Sequence, residues 1–158
     1  MKQKSYDALN RLSVEDYKGM EKLPVVIILD NLRSGLNIGS AFRTADAFAV
    51  TSIELCGICA TPPNREILKT ALGATESVQW RYYDSTADCI RQLKTEGYCI
   101  FAVETATNSV SLEKIVFGAE SKTAIVFGNE VKGIDEAILT LCDGAIEIPQ
   151  LGTKHSFN

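Results

Sequence analysis

Hydrophobic and polar positions alternate in blocks along this chain of 158 residues. Val25-Val26-Ile27-Ile28-Leu29 is an unbroken β-branched and aliphatic run, the pattern of a strand buried on both faces of a parallel sheet. A loop over 30–36 follows. Asn37 then reads as the cap of a helix running to about Phe48, with Ile38, Ala41, Phe42, Ala45 and Phe48 on its buried stripe. A strand is predicted over 52–56, and Thr61-Pro62-Pro63-Asn64 is a loop. Val78, Trp80 and Tyr82 alternate as the apolar face of another strand. Ser85 opens a helix through Ala87, Ile90 and Leu93 that Gly97 ends. Strands are predicted over 98–103 and 123–127. A helix follows with Ile134, Ile138 and Leu141 inward, then a last strand over 144–148. This alternation predicts an α/β fold, a mainly parallel sheet with helices on both faces.

Residues 1–22 carry only a weak stripe of Leu9, Leu12 and Tyr17, and Ser13-Val14-Glu15-Asp16 resembles a capping box. They read as an N-terminal extension, helical in part, ahead of one domain over 23–158. No apolar run approaches the ~20 residues that span a bilayer. The start lacks the apolar stretch of a signal peptide, so a cytoplasmic location is the expectation, with no membrane partner. Five cysteines, an odd number, argue against a disulfide framework. Cys56-Gly57-Ile58-Cys59 has C-x-x-C spacing, but no second pair exists and His155 is the one histidine. The expectation is no metal site, because structural zinc needs four ligands. The net charge of −4 disfavours a protein that grips nucleic acid by total charge, though a local basic cluster suffices for an enzyme.

Three polar segments, each after a predicted strand, stand out, because ligands of parallel sheets bind at the carboxyl ends of strands. The first runs from Asp30 through Asn37 to Arg43, which sits between the small residues Ser40 and Ala47 on the face away from the apolar stripe. Taken alone it reads as no more than a helix cap at Asn37 and a solvated charge at Arg43. The second is Gly128-Asn129-Glu130-Val131-Lys132-Gly133. Its glycines let the backbone approach a ligand, and Glu130 is placed to receive a proton or bond a hydroxyl. The third runs from Ile148-Pro149 through Leu151 and Gly152 to Ser156-Phe157-Asn158, and alone is also an ordinary polar terminus. A G-x-G-x-x-G after a strand, a P-loop and a convincing Ser-His-Asp set are all missing.

Together and in order, these segments resemble the three motifs of SpoU-type (TrmH-like) RNA 2′-O-ribose methyltransferases of the SPOUT superfamily. Asn37 to Arg43 matches the first motif, and Gly128-Asn129-Glu130 with Gly133 the second. Ile148-Pro149 with Gly152, Ser156 and Asn158 matches the third. Arg65 through Ala74 is similar to the family's intermediate segment. The resemblance spans 25–158 and implies an α/β-knot domain, homodimers with the site at or near the subunit interface, and S-adenosylmethionine as methyl donor to RNA. It implies Asn37, Arg43, Glu130, Ser156 and Asn158 as the catalytic set. It implies Val103, Glu104, Thr105, Gly128, Ile148, Leu151, Ser156 and Phe157 around the cofactor. A guanidinium, with a pKa above ~12, is a poor base, so Arg43 is expected to bind a phosphate and polarise the hydroxyl. Candidate RNA contacts are Arg33, Arg65, Lys69 and Lys132, and the short extension suits tRNA ahead of rRNA. The third motif of the family continues into an apolar helix, whereas this sequence stops at Asn158. The chain is therefore expected either to be truncated or to lack the C-terminal knot helix. A base-directed SPOUT methyltransferase and a non-catalytic RNA-binding or assembly module on the same fold are the competing readings.

Overall fold

The structure, a computed structural model, describes residues 11–118 and 120–153. Leu9 of the N-terminal stripe, and His155, Ser156, Phe157 and Asn158, lie outside the described residues. Seven strands form one sheet: β1 Leu23–Asp30, β2 Val50–Cys56, β3 Gln79–Tyr83, β4 Cys99–Val103, β5 Val110–Ser111, β6 Thr123–Phe127 and β7 Gly144–Glu147. Their order is β3-β2-β1-β6-β4-β7-β5, and every pair is parallel. The helices are α1 Val14–Gly19, α2 Gly35–Ala47, α3 Arg65–Ala71, α4 Ala74–Ser77, α5 Thr86–Thr95 and α6 Glu136–Leu139. Among the described residues no helix is long and apolar enough to cross a membrane.

The apolar run of β1 feeds two cores, because alternate strand residues point to opposite faces. Val25, Ile27 and Leu29 meet Ile38, Phe42 and Ala45 of α2, Ile67 and Ala71 of α3, and Ile53 and Leu55 of β2. Val26 and Ile28 meet Cys89, Ile90 and Leu93 of α5, Ile100 and Ala102 of β4, and Ala124 and Val126 of β6. The expected α/β class with helices on both faces is what the chain forms. The C-x-x-C cysteines divide between these cores, Cys59 in the first and Cys56 in the second.

Several expectations give way in detail. The cap of α2 is Ser34, whose hydroxyl accepts from the Asn37 N–H at 3.2 Å, so Asn37 lies inside the helix with its amide free for another partner. Phe48 is 68% exposed, because it follows the last turn and falls off the 3.6-residue stripe through Ile38, Phe42 and Ala45. Tyr82 is also exposed, at the outer end of edge strand β3, its hydroxyl donating to the Gly57 carbonyl at 2.8 Å. The helix predicted through Leu141 shrinks to α6, because the chain after β6 first closes a loop between Asn129 and Gly133. Of the N-terminal stripe Leu12 is exposed. Tyr17 of α1 is buried with its hydroxyl donating to Ala45 O at 3.4 Å, which docks α1 on α2. Ser13 caps α1, its Oγ accepting from Asp16 N at 3.1 Å and donating to Asp16 Oδ2 at 2.7 Å, so the Asp16 carboxylate meets the cap's hydroxyl where a capping box would have it meet the backbone N–H.

Helices α2 and α3 touch backbone to backbone at Gly39. A Cβ there would stand 2.2 Å from Thr70 Oγ1 and 2.3 Å from the Ile67 carbonyl oxygen. Gly39→Ala is therefore expected to destabilise the domain by roughly 1–3 kcal/mol in urea unfolding. Gly19→Ala, where nothing lies within 4 Å, is expected to be neutral or mildly stabilising.

Candidate active site

Register brings the ends of four strands into line. Leu29 of β1 pairs with Phe127 of β6, Phe127 with Val103 of β4, and Val103 with Ile146 of β7. The loops that leave these strands therefore start side by side. The connection from β1 leads to β2 on one side, while β6 and β4 lie on the other, so a topological switch point falls beside β1. Every strand contributes its carboxyl end to this edge because all run parallel.

The first and second loops are locked together by side chains of the second. Glu130 Oε2 accepts from Arg33 N at 3.1 Å, and Oε1 accepts from Ser34 N at 3.1 Å and from Asn37 Nδ2 at 3.2 Å. Partial burial pushes the Glu130 carboxyl up. The donors, its own backbone N–H among them, outweigh that and hold it below the usual carboxylate range. Asn129 Nδ2 donates to Asn31 O at 2.7 Å, and its Oδ1 accepts from Val131 N and Lys132 N at 2.9 and 3.0 Å. Asn129 and Gly133 also exchange backbone hydrogen bonds of 3.1 and 2.9 Å. The two glycines are demanded by space. A Cβ on Gly128 would meet Ile134 Cγ1 at 2.5 Å, and one on Gly133, at φ 68°, would meet Glu104 Oε2 at 2.4 Å.

Glu104, expected at the cofactor, also holds the second loop. Its Oε2 accepts from Ile134 N at 3.1 Å and its Oε1 from Thr105 N at 2.9 Å. Val103 is half-buried and shares a sheet face with its register neighbour Phe127, which is partly exposed, as is Ile148 beyond β7. Val103 and Phe127 end neighbouring strands, and the Gly128 loop starts directly after Phe127. Thr105 and Leu151 are exposed. Arg43 is exposed on α2, six positions beyond Asn37 and thus ~9 Å along the axis; it is not brought into contact with Asn37 or Glu130. Arg33, Arg65, Lys69 and Lys132 are exposed as well. Among the described residues the cations in ion pairs are Arg81, Arg91 and Lys94, on β3 and α5. Arg33, Arg43, Arg65, Lys69 and Lys132 form none with any described residue.

Residues that motif reading passed over form the floor of the site. Asn31 takes φ 55°, a left-handed conformation that Asn tolerates better than most residues. Its Nδ2 donates to Asp30 Oδ1 at 2.8 Å and its Oδ1 accepts from Ile58 N at 3.2 Å. Asp30 is 2% exposed and also accepts from the Thr86 hydroxyl. Burial pushes its carboxyl up against the pull of Thr86 and Asn31, and the charge of Asp135 adds to the rise. Cys59 Sγ accepts from Leu32 N and donates to Leu29 O, both at 3.2 Å. Burial pushes this thiol up to about 11, which keeps the proton that the second bond needs. The signal for this floor was the Asp30-Asn31 pair at a strand end and the C-x-x-C turn, whose role is to brace the first loop.

A family model described as the SpoU rRNA Methylase family matches residues 24–158. A TrmH family protein of Staphylococcus saprophyticus is 32% identical over 145 residues, covering 92% of this chain and 57% of its own. The chain thus spans little more than half the length of the curated relatives it matches. A crystal structure of an AdoMet-bound rRNA methyltransferase from Sinorhizobium meliloti superimposes with a TM-score of 0.80 at 24% identity, over 90% of this chain and 54% of that one. A structure described by the 2-OH methylation of C/U34 on tRNA superimposes with a TM-score of 0.73 at 24% identity, over 85% of both chains.

Asn31→Ala removes two side-chain hydrogen bonds and leaves a β-carbon in the left-handed region. It is expected to lower stability by about 2–3 kcal/mol in denaturant titration, and by less in Asn31→Gly, which relieves the backbone. Glu130 has a lowered carboxyl in the folded state. Its contribution is therefore full above the ordinary glutamate value of about 4.3 and lost as pH falls through the lowered one. Glu130→Gln is expected to flatten the acid limb of a stability-against-pH curve; an unchanged limb contradicts the clamp.

Proposed function

We propose, from the premise that the chain belongs to the SpoU rRNA methylase family, that it transfers a methyl group from S-adenosylmethionine to a ribose 2′-hydroxyl in RNA, tRNA ahead of rRNA. The observation that carries this reading is the convergence of the motif loops at the adjacent carboxyl ends of β1, β6, β4 and β7, clamped by Glu130. The tRNA relative whose fold matches over 85% of both chains supports the choice of a tRNA ribose.

The residues present suit the cofactor. Val103, Phe127 and Ile148, apolar side chains at adjacent strand ends that are at least partly exposed, suit an adenine ring, and the Gly128 loop leaves β6 directly after Phe127. Thr105, Leu151, Ser156 and Phe157 complete that lining in the proposal. When bound, S-adenosylmethionine supplies an electrophilic methyl on a sulfonium. The chain's own contribution is orientation, which accounts for much of the rate of an in-line transfer. Arg43 binds the phosphate beside the target ribose and polarises its hydroxyl. Glu130 keeps Asn37 and the first loop in place through both carboxylate oxygens. Ser156 and Asn158 of the third motif complete the polar set, and Arg33 and Lys132 flank it for RNA. The homodimer and the knot implied by the family resemblance belong to the same proposal. The separation of Arg43 from the Asn37–Glu130 pair supports a site completed between two copies.

Methyl-labelled product from tRNA, digested with ribonuclease, is expected to leave label in resistant dinucleotides, because a 2′-O-methyl blocks cleavage at that phosphate. Label in a base would replace the ribose by a base as the acceptor. Failure of S-adenosylmethionine to bind in a calorimetric titration would leave a non-catalytic RNA-binding module. Arg43→Ala is expected to lower turnover by about 10²-fold or more, and Arg43→Lys to restore only part of it, because an ammonium cannot hold a phosphate bidentately.

A further inference from the structure

The outward face of α3 takes no part in either core or in the Glu130 clamp. This short helix buries Ile67 and Ala71. Arg65, Leu68, Lys69 and the cap residue Leu72 fall on its other side by helical periodicity. All four are exposed, Leu68 at 45% and Leu72 at 66%. Neither cation pairs with a described residue, in a chain whose net charge is −4. Leu72 takes φ 50°, and Gly73 follows at φ 91°. An exposed leucine in a left-handed turn, where Asn or Gly would be less strained and better hydrated, is a poor choice for a bare surface.

The face also stands in a set relation to the candidate site. Gly35 and Gly39 admit α3 against the backbone of α2, and Thr70 Oγ1 donates to Leu36 O at 2.8 Å. Arg65 and Lys69 are one turn apart, about 6 Å between Cβ atoms, which is the order of the step between successive phosphates on one strand. Leu68 and Leu72 beside them present aliphatic surface to a ribose. Arg65–Ala71 contains no aromatic ring on which a base could stack.

We propose that this face of α3 holds the sugar–phosphate backbone of the RNA strand flanking the methylated nucleotide, reading backbone and not base. The inference rests on the RNA methylation reading and adds to it the surface that supplies affinity. Phosphate contacts of this kind position a strand without specifying sequence.

The test uses the full chain and a fluorescein-labelled single-stranded oligouridine, with affinity followed by anisotropy across a salt series. The parent chain is expected to bind with log K falling linearly against log salt. The Arg65→Gln/Lys69→Gln variant is expected to flatten that slope by about 1.4, two phosphates at about 0.7 each. The Leu68→Ser/Leu72→Gly variant is expected to weaken binding with the slope intact. A cation variant that keeps the parent slope overturns the proposal, as does a parent chain that does not bind oligouridine. Loss of self-association in the leucine variant, read by sedimentation, also overturns it and makes the face an interface between copies. Methylation of tRNA separates the two readings. A parent chain that methylates tRNA while the cation variant keeps its slope removes this surface alone, and one that methylates no RNA removes both.

Discussion

The carboxylate of Glu130 accepts three hydrogen bonds from residues that precede it by 93 to 97 positions. Two of the donors are the backbone N–H groups of the cap residue Ser34 and of Arg33 just before it, neither of which has an intrahelical partner. The third is the amide of Asn37. Without an acceptor at this point the stretch from Arg33 to Asn37 would lose its ties to the second loop. With it, the loop is drawn against the second loop. A negative charge held by backbone donors is also at its most useful here, since hydrogen bonds to a charged group are stronger than neutral ones.

Helix α2 is thereby held from two directions. Its first turn is tied to the β6 loop by Glu130, and its middle is pressed on α3 where Gly39 leaves no room for a side chain. Below the first loop, Asn31, Asp30 and Cys59 supply a floor of hydrogen bonds to β1, to the turn after β2 and to α5. Arg33 and Lys132 in the two loops and Arg43 on α2 carry no ion pairs with described residues, whereas Arg81, Arg91 and Lys94 do. Rigidity is thus concentrated in the scaffold of the loops, and unneutralised charge on their outer side.

The alternation of strands and helices was legible because each element carries its own local pattern. Val25–Leu29 could hardly be anything but a buried strand, and the stripe of Ile38, Phe42 and Ala45 identified α2. Strand β5 was missed because two residues, Val110 and Ser111, contain no period. Asn37 was read as a cap because the residue type suits one. Ser34, three positions earlier, takes that place, and the Asn37 amide turns to a carboxylate that no local window includes. Likewise the neighbours of Glu130 in sequence give no sign of Arg33, Ser34 and Asn37, the partners in space that make it an anchor of the first loop. The resemblance of the three motifs pointed to loops at strand ends, while the supports of those loops, Asn31 and Cys59 above all, required the fold.

The position of β6 has a consequence for how the molecule comes into being. This strand lies between β1 and β4, yet it follows both in the chain. Until residues 123–127 emerge, β1 has a bare edge and β4 has no neighbour toward it. Contacts of such large sequence separation form slowly, and unpaired edges of apolar strands are sticky in the meantime. Growth of the chain from the ribosome therefore delays the junction of the first and second loops until Glu130 has emerged. The nascent protein passes through a state in which β1 to β4 are written but the clamp between the loops does not yet exist.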